Sequence, residues 1–216
     1  MIHNLGEENS LVAAFIAEIR DKKVQQDRMR FRRNLERIGE ITAYELSKTL
    51  EWVDHEVETP LGLAKSVKLK NQPIIGNILR AGLPLHNGLL NFFDQADNAF
   101  ISAYRKHKED GSFDIKLDYL SSPALDGRTL ILVDPMLATG ASIVSVLNEL
   151  MKEGKPSGIH IVTVIASEQG LKYVEEHYPD CTIWICAVDA ELDAKSYIIP
   201  GLGDAGDLAF GEKIQD

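Results

Sequence analysis

Residues 130–143 read LILVDPMLATGASI, an apolar run followed by an acid and then by small and hydroxyl residues. If the apolar run is a buried strand, Asp134 stands at its end, and the small residues lead into a helix that starts near Ser142. Small residues let backbone amides approach a ligand, and the amino end of a helix favours an anion. The segment therefore predicts a phosphate cradle over residues 138–142.

The same loop excludes two common nucleotide motifs. It has neither the lysine of a P-loop nor the glycine spacing of a dinucleotide-binding fold. A simpler alternative is that Thr139 or Ser142 only caps the helix.

Arg80 follows another apolar run, in GNILRAGL, beside the flexible pair Ala81 and Gly82. An arginine among buried segments is costly unless it faces an anion or an acid. Arg80 therefore predicts a second anion contact, with a structural salt bridge as the alternative. Arg105, in ISAYRKHK, would on its own be interpreted as an exposed arginine.

The segment 197–211, YIIPGLGDAGDLAFG, is too rich in glycine and proline for the interior of a helix or strand. Glycines permit unusual dihedral angles, so the backbone N–H and C=O groups around Asp204 could pair with a small planar ring. The alternative is a glycine-rich turn without function.

The elements that must position these residues follow an α/β pattern. From Pro73 onward, short apolar runs alternate with amphipathic segments, which predicts a mostly parallel central sheet flanked by helices. The polar segment 106–120, KHKEDGSFDIKLDYL, predicts a β-hairpin flap at about 106–118. We expect one domain over 1–216, with a core over 56–190 and a hood over 191–216.

Residues 1–55 predict an N-terminal helical arm, because Phe31, Leu35 and Ile38 recur at helical spacing. The basic residues between 20 and 37 indicate a solvated helix face. Alternatively, they contact a neighbouring subunit or a phosphorylated effector.

Composition narrows the class of protein. The chain has 216 residues, 44% of them hydrophobic, and a net charge of -10, which argues against nucleic acid and an anionic membrane surface as partners. No stretch approaches the roughly 18 apolar residues of a membrane span, and residues 1–10 do not resemble a signal peptide. We expect a cytoplasmic protein whose two cysteines, Cys181 and Cys186, are buried and reduced.

The stretch VDPMLATGAS resembles the ribose-5-phosphate loop of type I phosphoribosyltransferases, specifically of uracil phosphoribosyltransferases. The resemblance implies that the acid faces the ribose hydroxyls of phosphoribosyl pyrophosphate (PRPP) and that the next residues hold its 5-phosphate. The PRPP-binding residues implied here are Asp134, Pro135, Met136, Leu137, Ala138, Thr139, Gly140, Ala141 and Ser142. Ala141 stands where the family usually has glycine. That change costs about 1 kcal/mol if φ is positive at this residue and is harmless if φ is negative.

RAGL is similar to the family's pyrophosphate loop, which implies that Arg80, Ala81 and Gly82 bind the pyrophosphate of PRPP. Arg105 matches an arginine that reaches the same group. The acidic residues that usually follow it are replaced by Lys106, His107 and Lys108.

YIIPGLGDAGD resembles the family's uracil-binding hood nearly residue for residue. The match implies that Ile198, Gly203, Asp204 and Ala205 contact the base and that Asp204 also lies near PRPP. The arm, with FRR and AYE, agrees more loosely, so the resemblance covers nearly the whole chain.

The resemblance implies a type I phosphoribosyltransferase fold and transfer of the phosphoribosyl group to N1 of uracil, giving UMP and pyrophosphate. Arg80 and Arg105 would stabilise the leaving pyrophosphate, and Asp204 would accept or steer the N1 proton. We expect Mg²⁺ to arrive bound to PRPP, a homodimer or higher homo-oligomer, and GTP as a candidate effector. The alternatives are transfer to another base and a non-catalytic regulatory homologue that binds UMP or PRPP.

Overall fold

The computed structural model describes residues 1–107 and 113–213, without the side chains of 103–107 and 113–117. Its helices are α1 (Leu11–Arg20), α2 (Arg28–Ser47), α3 (Leu83–Leu90), α4 (Ala141–Leu150), α5 (Glu168–His177) and α6 (Ala205–Phe210). Its strands are β1 (Ile2–Asn4), β2 (Trp52–Thr59), β3 (Gly62–Leu69), β4 (Ile74–Leu79), β5 (Asp97–His107), β6 (Phe113–Ser121), β7 (Thr129–Val133), β8 (Met136–Leu137), β9 (Gly158–Val162), β10 (Ile165–Ser167), β11 (Thr182–Ile185), β12 (Ala187–Asp189), β13 (Glu191–Leu192) and β14 (Ile198–Ile199).

A seven-stranded sheet with the order β1-β11-β9-β7-β4-β5-β6 forms the centre of the fold. Every neighbouring pair is parallel except β5 and β6, which are antiparallel. The mostly parallel α/β sheet expected from the sequence is confirmed. Because β4, β7 and β9 run parallel side by side, their carboxyl ends lie at one edge of the sheet.

Helices cover both faces of this sheet. Along β4, Ile75 packs with α1, α2, α3 and α6 on one face, whereas Ile74 and Ile78 pack with α4 and α5 on the other. This alternation is the period of two that a strand buried on both faces requires.

The arm contains α1 and α2, which are capped by Ser10 and Asp27. Phe31, Leu35 and Ile38 are all buried on α2, so the helix that their spacing predicts is confirmed. The arm is not helical throughout, because residues 2–4 form β1 and pair with β11. Three residues are too few to show a strand period in the sequence.

Part of the basic face of the arm is ion-paired within the chain. Arg30 contacts Glu18, and Arg33 contacts both Glu36 and Glu40. These contacts favour the interpretation of a solvated, ion-paired helix face over that of an effector site.

Two hairpins extend from the core. The strands of the expected flap, β5 and β6, pair antiparallel, and residues 108–112 between them lie outside the described residues. Strands β2 and β3 form a second, largely exposed hairpin that the sequence analysis does not predict.

The two cysteines are free and buried, as expected. They pack on opposite faces of the sheet, and burial raises the pKa of Cys181 to about 11 and that of Cys186 to about 12. Among the helices of the described ranges, none combines the length and apolar character needed to cross a bilayer.

Candidate active site

The turn that carries Arg80 packs against the end of the neighbouring strand. β4 ends at Leu79, and the Leu79–Arg80 peptide bond is cis. A Cβ atom at Gly82 would lie 3.0 Å from the carbonyl oxygen of Val133, the last residue of β7. The turn with Ala81 and Gly82 therefore lies next to the residue that precedes Asp134, as the parallel order of the two strands requires.

The residues predicted to hold a phosphate line a cleft at this edge of the sheet. Its lining consists of Asp134, Met136, Leu137, Ala138, Thr139, Gly140, Ser142 and Ile143. Pro135 has a supporting role, because its carbonyl oxygen accepts hydrogen bonds from the amides of Val164 (3.0 Å) and Ile165 (3.1 Å). Ala141 is not part of the lining.

The left-handed residue of the loop is Gly140, not Ala141. Gly140 has φ 78° and is the N-cap of α4, whereas Ala141 is the first residue of that helix. Ser196 is the only non-glycine residue with positive φ in the part of the chain that the structure describes, so φ of Ala141 is negative. The substitution of the family's usual glycine by Ala141 therefore introduces no left-handed strain.

The amino end of α4 is available to an anion. The hydroxyl of Thr139 accepts from the amide of Ala141 at 3.4 Å, a long contact, and Gly140 has no capping side chain. Within the described ranges, no acceptor pairs with the amides of Ser142 and Ile143. Unpaired amides and the helix dipole make such a terminus a favourable site for phosphate.

Helix α5 supports this loop from behind. The Ser167 hydroxyl donates to the carbonyl oxygen of Ala138 (2.5 Å) and accepts from the amide of Gly170 (2.9 Å). A Cβ atom at Gly170 would overlap the Ala138 carbonyl, so glycine permits the close approach. The cradle is therefore fixed by contacts outside the loop itself.

Arg80 joins the pyrophosphate loop to the hood. Its Nη2 donates to Asp207 Oδ1 (2.9 Å) and to the carbonyl oxygen of Gly211 (3.0 Å). The predicted alternative, a salt bridge, is thus present. Both bonds use Nη2, and Nε and Nη1 make no bond to a described residue, so this face of the guanidinium can still meet an anion.

The hood folds back from β14 towards Arg80. Ile198 and Ala205 are buried in the core, Gly203 is exposed, and Asp204 is half-buried. Of the four predicted base contacts, Ile198 and Ala205 would therefore meet a base through the backbone. Gly203 has φ 95°, and the Ile199–Pro200 bond is cis.

Asp204 begins helix α6 and lies near Arg80. Its Oδ1 accepts from the amide of Asp207 (3.0 Å), and its Oδ2 is 4.0 Å from Lys213 Nζ. A Cβ atom at Gly206 would lie 3.2 Å from Asp204 Oδ1 and 3.7 Å from Arg80 Nη2, so Gly206 separates these two groups. The predicted base and pyrophosphate residues are thus brought together.

Arg105 lies on β5, next to β4 in the sheet. Its side chain and Lys108 lie outside the described part of the structure, and its role stays a prediction.

Sequence reasoning missed two polar residues at this site. Asp207, the partner of Arg80, is the second acid of GDAGD and carries no signal of its own. Asn77 on β4 is fully buried, and both polar atoms of its side chain lack a partner among the described residues. Its Oδ1 lies directly beneath Gly82.

The arrangement combines three complementary surfaces at one edge of the sheet. An anion fits the amino end of α4, a second anion fits Arg80, and a planar ring fits the backbone of the hood. A phosphorylated sugar that carries a leaving anion, together with a separate planar acceptor ring, would occupy all three surfaces.

Comparison with known proteins identifies close relatives. The family model described as "Uracil phosphoribosyltransferase" matches residues 7–212. A uracil phosphoribosyltransferase of Porphyromonas gingivalis is 50% identical over 215 residues, which cover 99% of both chains. One of Thermococcus gammatolerans is 37% identical over 97% of this chain and 93% of its own.

Solved structures share the fold of this chain. A protein of Aquifex aeolicus is similar with a TM-score of 0.88 and 32% identity, covering 100% of both chains. A hypoxanthine phosphoribosyltransferase of Staphylococcus aureus has a TM-score of 0.51 and 15% identity over 73% of this chain and 74% of its own. The second likeness concerns the fold alone, and it confirms the expected type I phosphoribosyltransferase fold.

Proposed function

The chain belongs to the uracil phosphoribosyltransferase family, and on this premise we propose that it transfers the 5-phosphoribosyl group of PRPP to N1 of uracil, giving UMP and pyrophosphate. It is an enzyme, a pentosyltransferase. The observation that carries the proposal is the family match over residues 7–212, which includes the cradle, the Arg80 turn and the hood.

The sugar phosphate would bind at the end of β7. Asp134 would accept hydrogen bonds from the ribose hydroxyls, and the residues from Ala138 to Ser142 would form the cradle of the 5-phosphate. The unpaired amides at the start of α4 support this assignment, since they point donors at an anion without the cost of a buried charge.

The leaving group would bind at Arg80, Ala81 and Gly82, with Arg105 reaching it from β5. Departure of pyrophosphate builds positive charge on the ribose and negative charge on the leaving oxygens, so preorganised donors lower the barrier. Closure of the flap at about 106–118 would exclude water from the reacting centre.

Uracil would bind to the hood through the backbone of Ile198, Gly203 and Ala205, with Asp204 beside N1. Holding both substrates in line removes most of the entropy cost of their encounter. Asp204 would accept or steer the N1 proton. Its Oδ1 caps α6, so Oδ2, which lies 4.0 Å from Lys213 Nζ, would be the oxygen that meets the proton.

Mg²⁺ would enter with PRPP and neutralise charge on its diphosphate. Within the described ranges, no group of three or more His, Cys, Asp or Glu side chains could hold a metal ion. We therefore propose that oxygens of the diphosphate and water molecules supply most of the ligands of Mg²⁺.

A homodimer or larger assembly is part of the proposal. The support is the β2–β3 hairpin, which carries exposed apolar side chains, including Leu61 (100% exposed) and Leu63 (72% exposed). Sedimentation of the purified protein tests this point, and a monomer at micromolar concentration would contradict it.

A cytoplasmic location and a response to GTP complete the proposal. The location is supported by the two reduced, buried thiols and the acidic charge. The response to GTP follows from the resemblance to a family in which some members respond to it. Turnover measured with and without GTP tests it, and equal rates would refute it.

The reaction itself is tested by measuring pyrophosphate release from PRPP and Mg²⁺ with uracil, cytosine, adenine, hypoxanthine or no base. The expected result is release with uracil alone, together with formation of UMP. Release with another base would overturn the assignment of the hood. Binding of UMP without turnover of any base would favour the non-catalytic regulatory homologue.

A further inference from the structure

One of the contacts between the helical arm and the hood region is a bidentate ion pair; another is the hydrogen bond from Arg32 Nη1 to the carbonyl oxygen of Ala209. Arg20 is the last residue of α1, and its Nη1 and Nη2 each lie 2.9 Å from a carboxylate oxygen of Asp189, the last residue of β12. Asp189 is 8% exposed and the Arg20 side chain is 21% exposed. Desolvation of such a pair can cost as much as its attraction gains, so the pair by itself is weak evidence of a role in stability.

The same two side chains hold both backbone groups of one hood residue. The amide of Gly201 donates to Asp189 Oδ2 (3.0 Å), and the Gly201 carbonyl oxygen accepts from Arg20 Nη1 (3.2 Å). Gly201 has φ 54°, and a Cβ atom there would overlap the carbonyl oxygen of Ile198. The four bonds therefore fix the chain where it turns between Ile198 and Gly203.

The arm side of the contact is itself fixed. Gln25 is buried, and its Nε2 donates to the carbonyl oxygens of Arg20 (3.2 Å) and Ile19 (3.3 Å) at the end of α1. Gln25 also lines a cleft between the arm and the hood, together with Gly203 and Asp204. The position of Gly201 is thus set from α1 and not from the sheet alone.

We propose that Arg20 and Asp189 are positioning residues for the base, and that they hold Gly201 so that the backbone of residues 198–205 can read the ring. The inference rests on the proposed function. Backbone recognition needs this pair because the part of the hood before α6, residues 191–204, has little regular structure of its own, with β13 and β14 only two residues each. A displacement of a few tenths of an ångström misaligns N–H and C=O groups with a rigid planar ligand.

The pair acts on the base and not on the sugar phosphate. The cradle at 138–142 is held by the Ser167 hydroxyl and by the close approach of Gly170. Ser167 lies beside Asp189 in the pairing of β10 with β12, but its hydroxyl bonds go to the cradle and to α5, whereas the side-chain bonds of Asp189 go to Arg20 and Gly201. Loosening Gly201 should therefore raise KM for uracil while leaving the affinity for PRPP unchanged.

The test uses Arg20→Lys and Asp189→Asn, with Glu18→Gln as the matched control. Lysine keeps the charge but cannot span two carboxylate oxygens and a carbonyl. Asparagine keeps the size but sets an amide donor against the guanidinium. Glu18 forms the same kind of bidentate pair with Arg30 on the arm, away from the hood. KM for uracil is measured at saturating PRPP, and Kd for PRPP with Mg²⁺ is measured by calorimetry without a base.

The expected result is that KM for uracil rises about tenfold or more in both Arg20→Lys and Asp189→Asn, as the loss of charged hydrogen bonds would produce. Kd for PRPP should stay within about twofold, and Glu18→Gln should behave like the parent. An unchanged KM for uracil, or equal losses for both substrates, would overturn the inference. If Asp189→Asn fails to fold, Arg20→Lys decides alone. A parent protein without uracil turnover would instead refute the proposed function and, with it, the basis of this inference.

Discussion

The adjacent residues Gly140 and Ala141 provide the sharpest contrast for mutagenesis. Gly140→Ala puts a Cβ at φ 78°, which costs about 1–2 kcal/mol in the left-handed region. That Cβ would also lie 2.9 Å from the carbonyl oxygen of Gly170 and 3.0 Å from Tyr173 Cδ1, so the cradle must shift. We expect a total loss of about 2–3 kcal/mol in the free energy of unfolding.

Ala141→Gly, the reverse change at the next residue, should be mild. Ala141 is the first residue of α4 and has negative φ, so the glycine relieves no strain and costs at most about 1 kcal/mol through the freedom of the unfolded chain. In a domain of this size, about 1 kcal/mol corresponds to roughly 2–4 °C in Tm. The two variants should therefore differ in Tm by several degrees.

Calorimetric melting and KM for PRPP at saturating uracil measure both effects. Gly140→Ala should lower Tm and raise KM for PRPP, because its Cβ would displace the amides that we propose as donors to the 5-phosphate. Ala141→Gly should leave KM for PRPP within about twofold, well under the factor of ten that 1.4 kcal/mol represents. A neutral Gly140→Ala, or a large gain in PRPP affinity from Ala141→Gly, would refute the assignment of strain to Gly140.

Three further predictions concern charge. Arg80→Ala should lower kcat on the order of 100-fold, as loss of a transition-state donor does. The control Lys172→Ala changes an exposed lysine and should leave kcat unchanged. Equal losses of kcat in the two variants would refute the pyrophosphate role of Arg80. Asp204→Asn retains an N-cap acceptor for α6, so a fall in kcat without a fall in Tm is expected, and normal turnover would remove the proton role. Burial, aided by the nearby charge of His3, lowers the pKa of His160 from 6.5 to about 4. As pH drops from 6.5 towards 4, His160 therefore takes up a proton in the unfolded chain but not in the folded one, and the free energy of unfolding should fall. His160→Gln should flatten this pH dependence, and an unchanged slope by urea titration would contradict the assignment.

Local pattern was enough to predict the sheet and the loops of the site. The apolar run before Asp134 and the small residues after it mark the end of a buried strand and the start of a loop. Arg80 marks the end of another apolar run in the same way. Phe31, Leu35 and Ile38 recur at helical spacing and form one apolar face, so the sequence predicts a helix that buries this face in the core.

Contacts between distant segments could not be predicted in this way. Arg80 and Asp207 are 127 residues apart, and Arg20 and Asp189 are 169 apart, so no spacing in the sequence links them. The β2–β3 hairpin escaped prediction because it is almost wholly exposed and carries no buried face to impose a hydrophobic period.

A crystal structure of the enzyme with UMP tests most directly whether the three loops form one site. The account predicts the 5-phosphate within hydrogen-bonding distance of the amides at the start of α4, the ribose hydroxyls on Asp134, and the uracil ring against the backbone of residues 198–205. UMP bound elsewhere, or bound with its ring outside the hood, would contradict the account.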